Sequence, residues 1–298
     1  MGKGEINPLA DGNSLAQKTA LLQLGAEWLA KRVEFLSQGR LKIDVHAGGE
    51  LVGALDVFDA VSEGKAQIGN GCAYYWAKIP AAPWFTTVPF GFKAQDMCTW
   101  LLQGGGYELY EEADAPYGVS PRLGGNTGIQ MGGWFNREIK SVSDFNGLKM
   151  RIPGLGGKVI EKFGTEVVLL PVGDIFKAME SGKINATEWI GPYHDLQMGF
   201  QKVAKYYYAP GWHEPGTANE ITVNRQAFES LTDDLQGIFQ AAVAELNNQV
   251  TAEFEYFNSR AMLKIVKDRK VILRQFPYSV FRDIQGMSSE VLNVEAKK

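Results

Sequence analysis

The segment 232–268 contains no proline and one glycine, Gly237, and this pattern predicts a single helix of roughly 35 residues. At about 1.5 Å per residue the helix is about 50 Å long, whereas a domain of about 140 residues has a radius of gyration of only about 14 Å. A helix this long is expected to serve more than one compact unit. The alternative is two helices that break near Asn247. Ser230 and Asp233 match a capping box at the start.

Helical and strand patterns alternate in two separate stretches of the chain. In the first stretch the spacing of apolar residues predicts a helix over 22–36, a strand over 41–45, a helix over 55–64 and a strand over 66–69. In the second stretch it predicts strands over 148–152, 167–170 and 184–190, helices over 157–163 and 174–181, and a last helix through 200 and 203. This alternation is typical of α/β proteins, and two such stretches suggest two similar lobes.

Composition excludes several classes of protein. The chain has 298 residues with 30 Lys+Arg and 34 Asp+Glu, so its formal net charge is −4, which argues against a nucleic-acid partner. No apolar run approaches the roughly 20 residues of a membrane helix, and the first residues do not have the pattern of a signal peptide. Cys72 and Cys98 are predicted to be separate thiols rather than a disulfide.

No nucleotide-binding or catalytic motif is complete. The segment 154–158, Gly-Leu-Gly-Gly-Lys, lacks the first glycine of a phosphate loop and is followed by Val159 instead of Ser or Thr. The three histidines, His46, His194 and His213, do not have the spacing of a zinc-protease motif. An enzyme is therefore not the function that the motifs favour.

Several residues at predicted strand ends are candidates for binding. Arg151 precedes a Pro-Gly turn and could present its guanidinium to a carboxylate in a cleft, although a surface ion pair would account for it equally well. Glu188 and Trp189 end another predicted strand, and Glu214 lies in a segment that crosses between the lobes. For Glu188 and Trp189 the competing interpretation is a solvated acid beside a core aromatic residue.

The chain resembles the solute-binding proteins of TRAP transporters, the DctP-like family, through motifs in the same order and spacing over about residues 20–292. The motifs lie at 39–43 with 46–51, 63–69, 143–151, 182–189 and 211–216. The segments 130–134 and 188–192 resemble the branch of that family that binds 2-oxo acids and lactate with a metal cation.

The resemblance implies an α/β, two-lobe periplasmic-binding-protein-like fold with hinge strands and a long interlobe helix. Residues 1–124 and 212–250 are expected to form one lobe, and residues 125–211 and 251–298 the other. Chain crossings near Gly124 and Gly211 are expected to act as hinges that close the lobes on a ligand.

The resemblance also assigns roles to individual residues. It implies that Arg151 anchors a carboxylate, and that Glu188, the Trp189 carbonyl and Glu214 hold a cation, sodium or calcium, which bridges to the substrate. The other residues expected to contact substrate are Trp189, Asn126, Gln130, Tyr74 and Tyr75.

The implied function is capture of a small 2-oxo or 2-hydroxy monocarboxylate in the periplasm and its delivery to membrane permease subunits. No catalysis is expected. Two alternatives remain open: a binding protein for dicarboxylates or sugar acids without metal, and a metal-assisted lyase or hydrolase that uses Glu188, His213 and Glu214.

The ends of the chain differ from the family pattern. The segment 6–17 does not have the character of the family's first strand, and the end at 290–298 is expected to stop short of the family's last helices. Some relatives form a homodimer by exchanging such helices, so the resemblance leaves a homodimer open.

Overall fold

The computed structural model describes residues 21–76, 78–170, 172–268 and 270–298. Its helices are α1 Leu21–Leu36, α2 Val57–Ser62, α3 Ala94–Gln103, α4 Gly106–Asp114, α5 Gly154–Glu161, α6 Val172–Glu180, α7 Pro192–Met198, α8 Arg225–Glu229, α9 Asp233–Lys267 and α10 Tyr278–Glu295. Its strands are β1 Ile68–Gly71, β2 Val119–Asn126, β3 Gly133–Phe135, β4 Lys149–Arg151, β5 Glu166–Val168, β6 Ala186–Thr187, β7 Tyr206–Ala209, β8 Ala218–Asn224 and β9 Ile272–Gln275.

The strands form two sheets, in agreement with the predicted α/β class. The first has the order β1-β8-β2 and is antiparallel throughout. Its longest strands, β2 and β8, are buried along almost their whole length. Residues of β8, Ile221 and Val223, contribute to a core that α1 and α9 cover on one side.

The second sheet has six strands in the order β5-β4-β6-β3-β7-β9. Strands β5, β4 and β6 are parallel neighbours, β3 runs antiparallel to β6 and β7, and β7 is parallel to β9. Helices α5 and α10 pack on it through Val159, Ile160, Val280 and Ile284. Connections through helices, as between β4 and β5, are what parallel strands require.

The chain crosses between the two sheets at two segments that lie side by side. It leaves β2 at Asn126 and enters β3 at Gly133, and it returns from β7 at Ala209 to β8 at Ala218. The crossings are joined by hydrogen bonds from the Thr127 amide to the Thr217 carbonyl and from the Gly211 amide to the Gln130 carbonyl. The division of the chain into lobes at 124 and 211 stays a prediction.

Helix α9 is continuous over 35 residues, which confirms the predicted long helix and excludes a break near Asn247. Its N-terminal part buries Phe239 and Val250 in the core of the first sheet. Its C-terminal part buries Ile265 in a core with Trp134, a residue of the second sheet. One helix thus contributes to the packing of both sheets.

The predicted strand over 41–45 is wrong. Within the described ranges, no strand is assigned before β1, and β1 itself pairs with β8 alone. The segment 41–47 faces β1 across a groove of about 800 Å³ that is partly lined by Ile221 and Phe239. The alternation of apolar and polar residues correctly predicts that the apolar side chains of this segment are half-buried. A strand also needs a neighbouring strand that supplies hydrogen bonds.

Other predicted boundaries also change. The strand predicted over 184–190 is limited to β6, and the helix predicted through Phe200 ends at Met198, where Gly199 has φ +80° and a short 3₁₀ turn follows. The predicted capping box of α9 is wrong, because the Ser230 hydroxyl donates to the Ala227 carbonyl and Thr232 is the N-cap residue. Both cysteines are free thiols, as predicted.

Candidate functional site: a buried cluster of one guanidinium and two carboxylates

Arg151 and Glu188 come together because they lie at the carboxyl ends of adjacent parallel strands, Arg151 within β4 and Glu188 directly after β6. Arg151 is the last residue of β4 and is paired with Thr187, the last residue of β6, so Glu188 follows directly beside it. Arg151 Nη1 donates to Glu188 Oε1, and also to the Glu188 backbone carbonyl at 3.2 Å. Each residue is 1% exposed. The carboxyl ends of parallel strands are where open α/β sheets place ligand-binding groups.

The Arg151 guanidinium is only partly satisfied by these contacts. Its Cζ lies 5.0 Å from the centroid of the Trp189 ring, which supports one face of the guanidinium. Its buried Nε has no hydrogen-bond partner within the described residues. Burial alone would lower the pKa of Arg151, but Glu188, Tyr75 and Tyr74 together outweigh burial and the pKa is raised. Arg151 is therefore a permanent buried cation with a donor to spare.

The second crossing supplies His213 to the same cluster. His213 Nε2 lies 3.0 Å from Glu188 Oε2, so the two Glu188 oxygens face different partners. A Cβ on Gly156, in α5, would lie 2.7 Å from His213 Cβ, and the absence of a side chain there makes room for the histidine. Burial would lower the pKa of His213, but the hydrogen bond to Glu188 and the charges of Glu188 and Glu214 together outweigh burial and raise it.

Glu214, the next residue, forms the other carboxylate of the cluster. Its Oε2 accepts hydrogen bonds from Gln130 Nε2 at 2.6 Å and from the Thr217 hydroxyl. Gln130 Nε2 also donates to Thr217 Oγ1 at 2.9 Å. Burial, followed by the charge of Glu188, raises the pKa of Glu214 to about 7. The charge of Glu188 thus disfavours the ionised form of Glu214.

These residues fit a cation that prefers oxygen ligands. One ligand atom from each of Glu188, His213 and Glu214 lies within 4.8 Å of the others, and all three residues are buried. Gln130 Oε1 is buried and has no partner among the residues described, which leaves a further oxygen donor. The two carboxylates and the amide oxygen would suit a hard ion such as calcium or sodium, whereas the His213 nitrogen already contacts Glu188.

The remaining residues expected at the site lie around this cluster. Tyr74 and Tyr75 follow β1 in a short 3₁₀ helix, and a Cβ on Gly154 would lie 3.8 Å from Tyr74 Cβ, so Tyr74 packs against the start of α5. Burial raises the pKa of Tyr75 to about 12, whereas nearby Arg151 acts in the opposite direction. Asn126 accepts a hydrogen bond from the Gly128 amide at 2.9 Å, which fixes the first crossing.

The sequence patterns do not assign two parts of the site to binding. His213 belongs only to the enzyme alternative, and no motif singles out the Thr217 hydroxyl. The sequence 211–217 contains a histidine, a glutamate and a threonine within one crossing, and this concentration of polar residues was the available signal. The three residues of the enzyme alternative do come together, so their proximity alone does not separate a binding site from a catalytic one.

Comparison with known proteins identifies a family and close relatives. The profile of the family described as bacterial extracellular solute-binding protein, family 7 (DctP), matches residues 12–298. The chain is 42% identical over 278 residues to a monocarboxylate 2-oxoacid-binding periplasmic protein of Nostoc sp., a match that covers 92% of this chain and 76% of the relative. Among the described residues, no helix is long and apolar enough to cross a membrane.

Two solved structures are similar over nearly the whole fold. A TRAP periplasmic solute-binding protein from Colwellia psychrerythraea, with bound calcium and pyruvate, is 40% identical with a TM-score of 0.91; the match covers 93% of this chain and 85% of that one. A TRAP periplasmic solute-binding protein from Pseudoalteromonas atlantica, with bound sodium and pyruvate, is 38% identical with a TM-score of 0.90 and the same coverage of both chains. The two-domain periplasmic-binding-protein fold expected from the sequence is confirmed.

Proposed function

The chain belongs to the bacterial extracellular solute-binding proteins of family 7, and we propose that it captures a small 2-oxo or 2-hydroxy monocarboxylate together with a cation. We propose further that it delivers the acid to the permease subunits of a TRAP-type transporter outside the cytoplasm. Membership of a family of solute-binding proteins favours a receptor over a lyase or hydrolase. Relatives that bind pyruvate with calcium or sodium support the choice of ligand.

The observation that carries the proposal is the buried cluster of one guanidinium and two carboxylates. Arg151 offers Nε to a ligand carboxylate, and the Trp189 ring supports one face of the guanidinium. A guanidinium binds carboxylates with defined geometry. The cation would be held by Glu188, the Trp189 carbonyl and Glu214. Its positive charge would lie between the two glutamate carboxylates and the carboxylate of the ligand. Gln130 positions Glu214 through its amide nitrogen. Tyr74, Tyr75 and Asn126 are proposed to complete the ligand pocket.

A thermal-shift screen of small carboxylates tests this function. Each acid is added in buffers that contain calcium, sodium or neither ion. Ligand binding stabilises the folded state by RT ln(1 + [L]/Kd), about 2.7 kcal/mol at a hundredfold excess over Kd. We expect 2-oxo and 2-hydroxy monocarboxylates to raise the melting temperature most, and only when calcium or sodium is present. Equal stabilisation by dicarboxylates or sugar acids without either ion would favour the metal-free alternative.

An assay for turnover addresses the enzyme alternative. Pyruvate or lactate is incubated with the calcium-loaded protein, and the acid is then recovered and quantified. We expect stoichiometric binding and complete recovery. Formation of a product in amounts that exceed the amount of protein would show that Glu188, His213 and Glu214 act as a catalytic group.

A further inference from the structure

The contact between Arg151 and Glu188 places an internal carboxylate on the guanidinium that the proposed ligand would use. Arg151 Nη1 is held by the Glu188 carboxylate and by the Glu188 backbone carbonyl at 3.2 Å. Both side chains are 1% exposed, so water screens this pair little. An internal carboxylate therefore already occupies part of the guanidinium that the ligand needs.

The charges of the cluster make a second carboxylate unfavourable without a further positive charge. Among Arg151, Glu188, His213 and Glu214, Arg151 is the permanent cation, whereas Glu188 and Glu214 are two acidic groups, so an incoming monocarboxylate adds a third carboxyl group to the cluster. Like charges in a buried site repel strongly because the local dielectric constant is low. Glu188 contributes most directly, since it contacts the same guanidinium that the ligand approaches.

We propose that Glu188 is the residue that makes acid binding depend on the cation, because its carboxylate competes with the acid for Arg151 until a cation neutralises it. The proposal rests on the proposed function and adds a residue-level origin for the cation requirement. It assigns Glu188 two opposite effects: it favours the acid when the cation is present, and it opposes the acid when the cation is absent.

Glu214 offers a matched control. It is also a buried carboxyl group, 3% exposed, but it is held by Gln130 and Thr217, and no hydrogen bond joins it to Arg151 in the part of the chain that the structure describes. Glu214→Gln therefore removes one carboxyl group from the cluster and leaves the contact between Arg151 and Glu188 in place.

The experiment measures the Kd for pyruvate by calorimetry for the unmutated protein, Glu188→Gln and Glu214→Gln. Each protein is titrated in calcium, and again in choline chloride with a chelator so that neither calcium nor sodium is present. In cation-free buffer we expect Glu188→Gln to bind pyruvate at least tenfold more tightly than the unmutated protein, and Glu214→Gln to gain less than threefold. In calcium the order reverses, and Glu188→Gln binds more weakly than the unmutated protein.

The outcomes separate the inference from the function on which it rests. A Glu188→Gln variant that gains nothing in cation-free buffer, or a Glu214→Gln variant that gains as much, overturns the role of Glu188 while the proposed function stands. Failure of the unmutated protein to bind any 2-oxo acid in calcium overturns the proposed function itself. Circular dichroism checks that each variant folds. If Glu188→Gln does not fold, Glu188→Ala replaces it, and we expect the same gain in pyruvate affinity in cation-free buffer.

Discussion

At the scale of single residues, Arg151 tests the site most simply. Arg151→Lys keeps the positive charge but loses the planar donor group that can serve Glu188 and a ligand at the same time. We expect the affinity for pyruvate in calcium to fall at least tenfold, which corresponds to about 1.4 kcal/mol. Calorimetry on the two proteins measures this. Unchanged affinity would remove Arg151 from the site.

A second residue-scale prediction concerns an acid outside the binding cluster. Asp114 is fully buried at the end of α4, and neither carboxylate oxygen has a hydrogen-bond partner within the described residues. Burial, with the charges of Glu220 and Glu111, raises the pKa of Asp114 to about 8, against the opposing effect of Arg225. Because the folded pKa lies above the unfolded value of about 3.9, the protonated acid favours folding, and stability is lost as the pH rises towards 8.

Asp114→Asn removes this titration. The difference in unfolding free energy, variant minus unmutated protein, is expected to increase by about 3–4 kcal/mol between pH 5 and pH 8. Urea unfolding at both pH values measures it, and contributions of other titrating groups cancel in the difference. A difference that is the same at pH 5 and pH 8 would mean that Asp114 is ionised in the folded protein.

At the scale of elements, α9 offers a clean test of helix energetics. Gly237 is exposed in the interior of this helix, and a Cβ at this position meets nothing within 4 Å. Gly237→Ala should therefore stabilise the protein by about 0.5–1 kcal/mol in urea unfolding, because alanine loses less backbone entropy on folding.

Gly25 in α1 is the control for that substitution. A Cβ on Gly25 would lie 2.9 Å from Val250 Cγ2 of α9, so Gly25→Ala should destabilise the protein by overpacking the contact between the two helices, by about 1–3 kcal/mol. If both alanine variants change stability in the same direction, local helix propensity and close packing do not explain the two glycines.

The elements also show what sequence patterns can and cannot predict. Helix α9 was predictable because the absence of proline over 35 residues is a local property. The segment 41–45 was mispredicted because strand formation depends on a distant partner, and apolar alternation carries no information about one. Arg151 and Glu188 were singled out by their positions at strand ends, but their mutual contact depends on the adjacency of β4 and β6. Periodicity does not specify which strands are neighbours.

At the scale of the whole molecule, the binding cluster joins both sheets. Arg151 ends a strand of the second sheet and Glu188 directly follows another, whereas Tyr74 follows a strand of the first sheet, and His213 and Glu214 lie in a crossing between the sheets. The charged side chains are at most 3% exposed, so we expect the proposed ligand to enter when the two sheets move apart. Hinge motion at the crossings is the simplest way to open such a site.

Small-angle scattering tests this motion. The protein is expected to have a larger radius of gyration in cation-free buffer than with saturating pyruvate and calcium. The Arg151→Lys variant is not saturated at the same concentrations of pyruvate and calcium. Its radius of gyration should therefore stay close to that of the ligand-free protein. Identical profiles for the unmutated protein at proven saturation would indicate a rigid cleft, or that Tyr74 and Tyr75 do not face Arg151 across it.

The interdependence of acid and cation is tested most directly by the Kd for pyruvate, measured by calorimetry on the unmutated protein over a series of calcium concentrations. Linkage requires that each ligand strengthens binding of the other by the same factor. We predict that the Kd for pyruvate falls at least tenfold between cation-free and calcium-saturated protein, and that pyruvate tightens calcium binding equally. A Kd for pyruvate that is the same at every calcium concentration would contradict a site in which Glu188 and Glu214 hold a cation against the acid bound to Arg151.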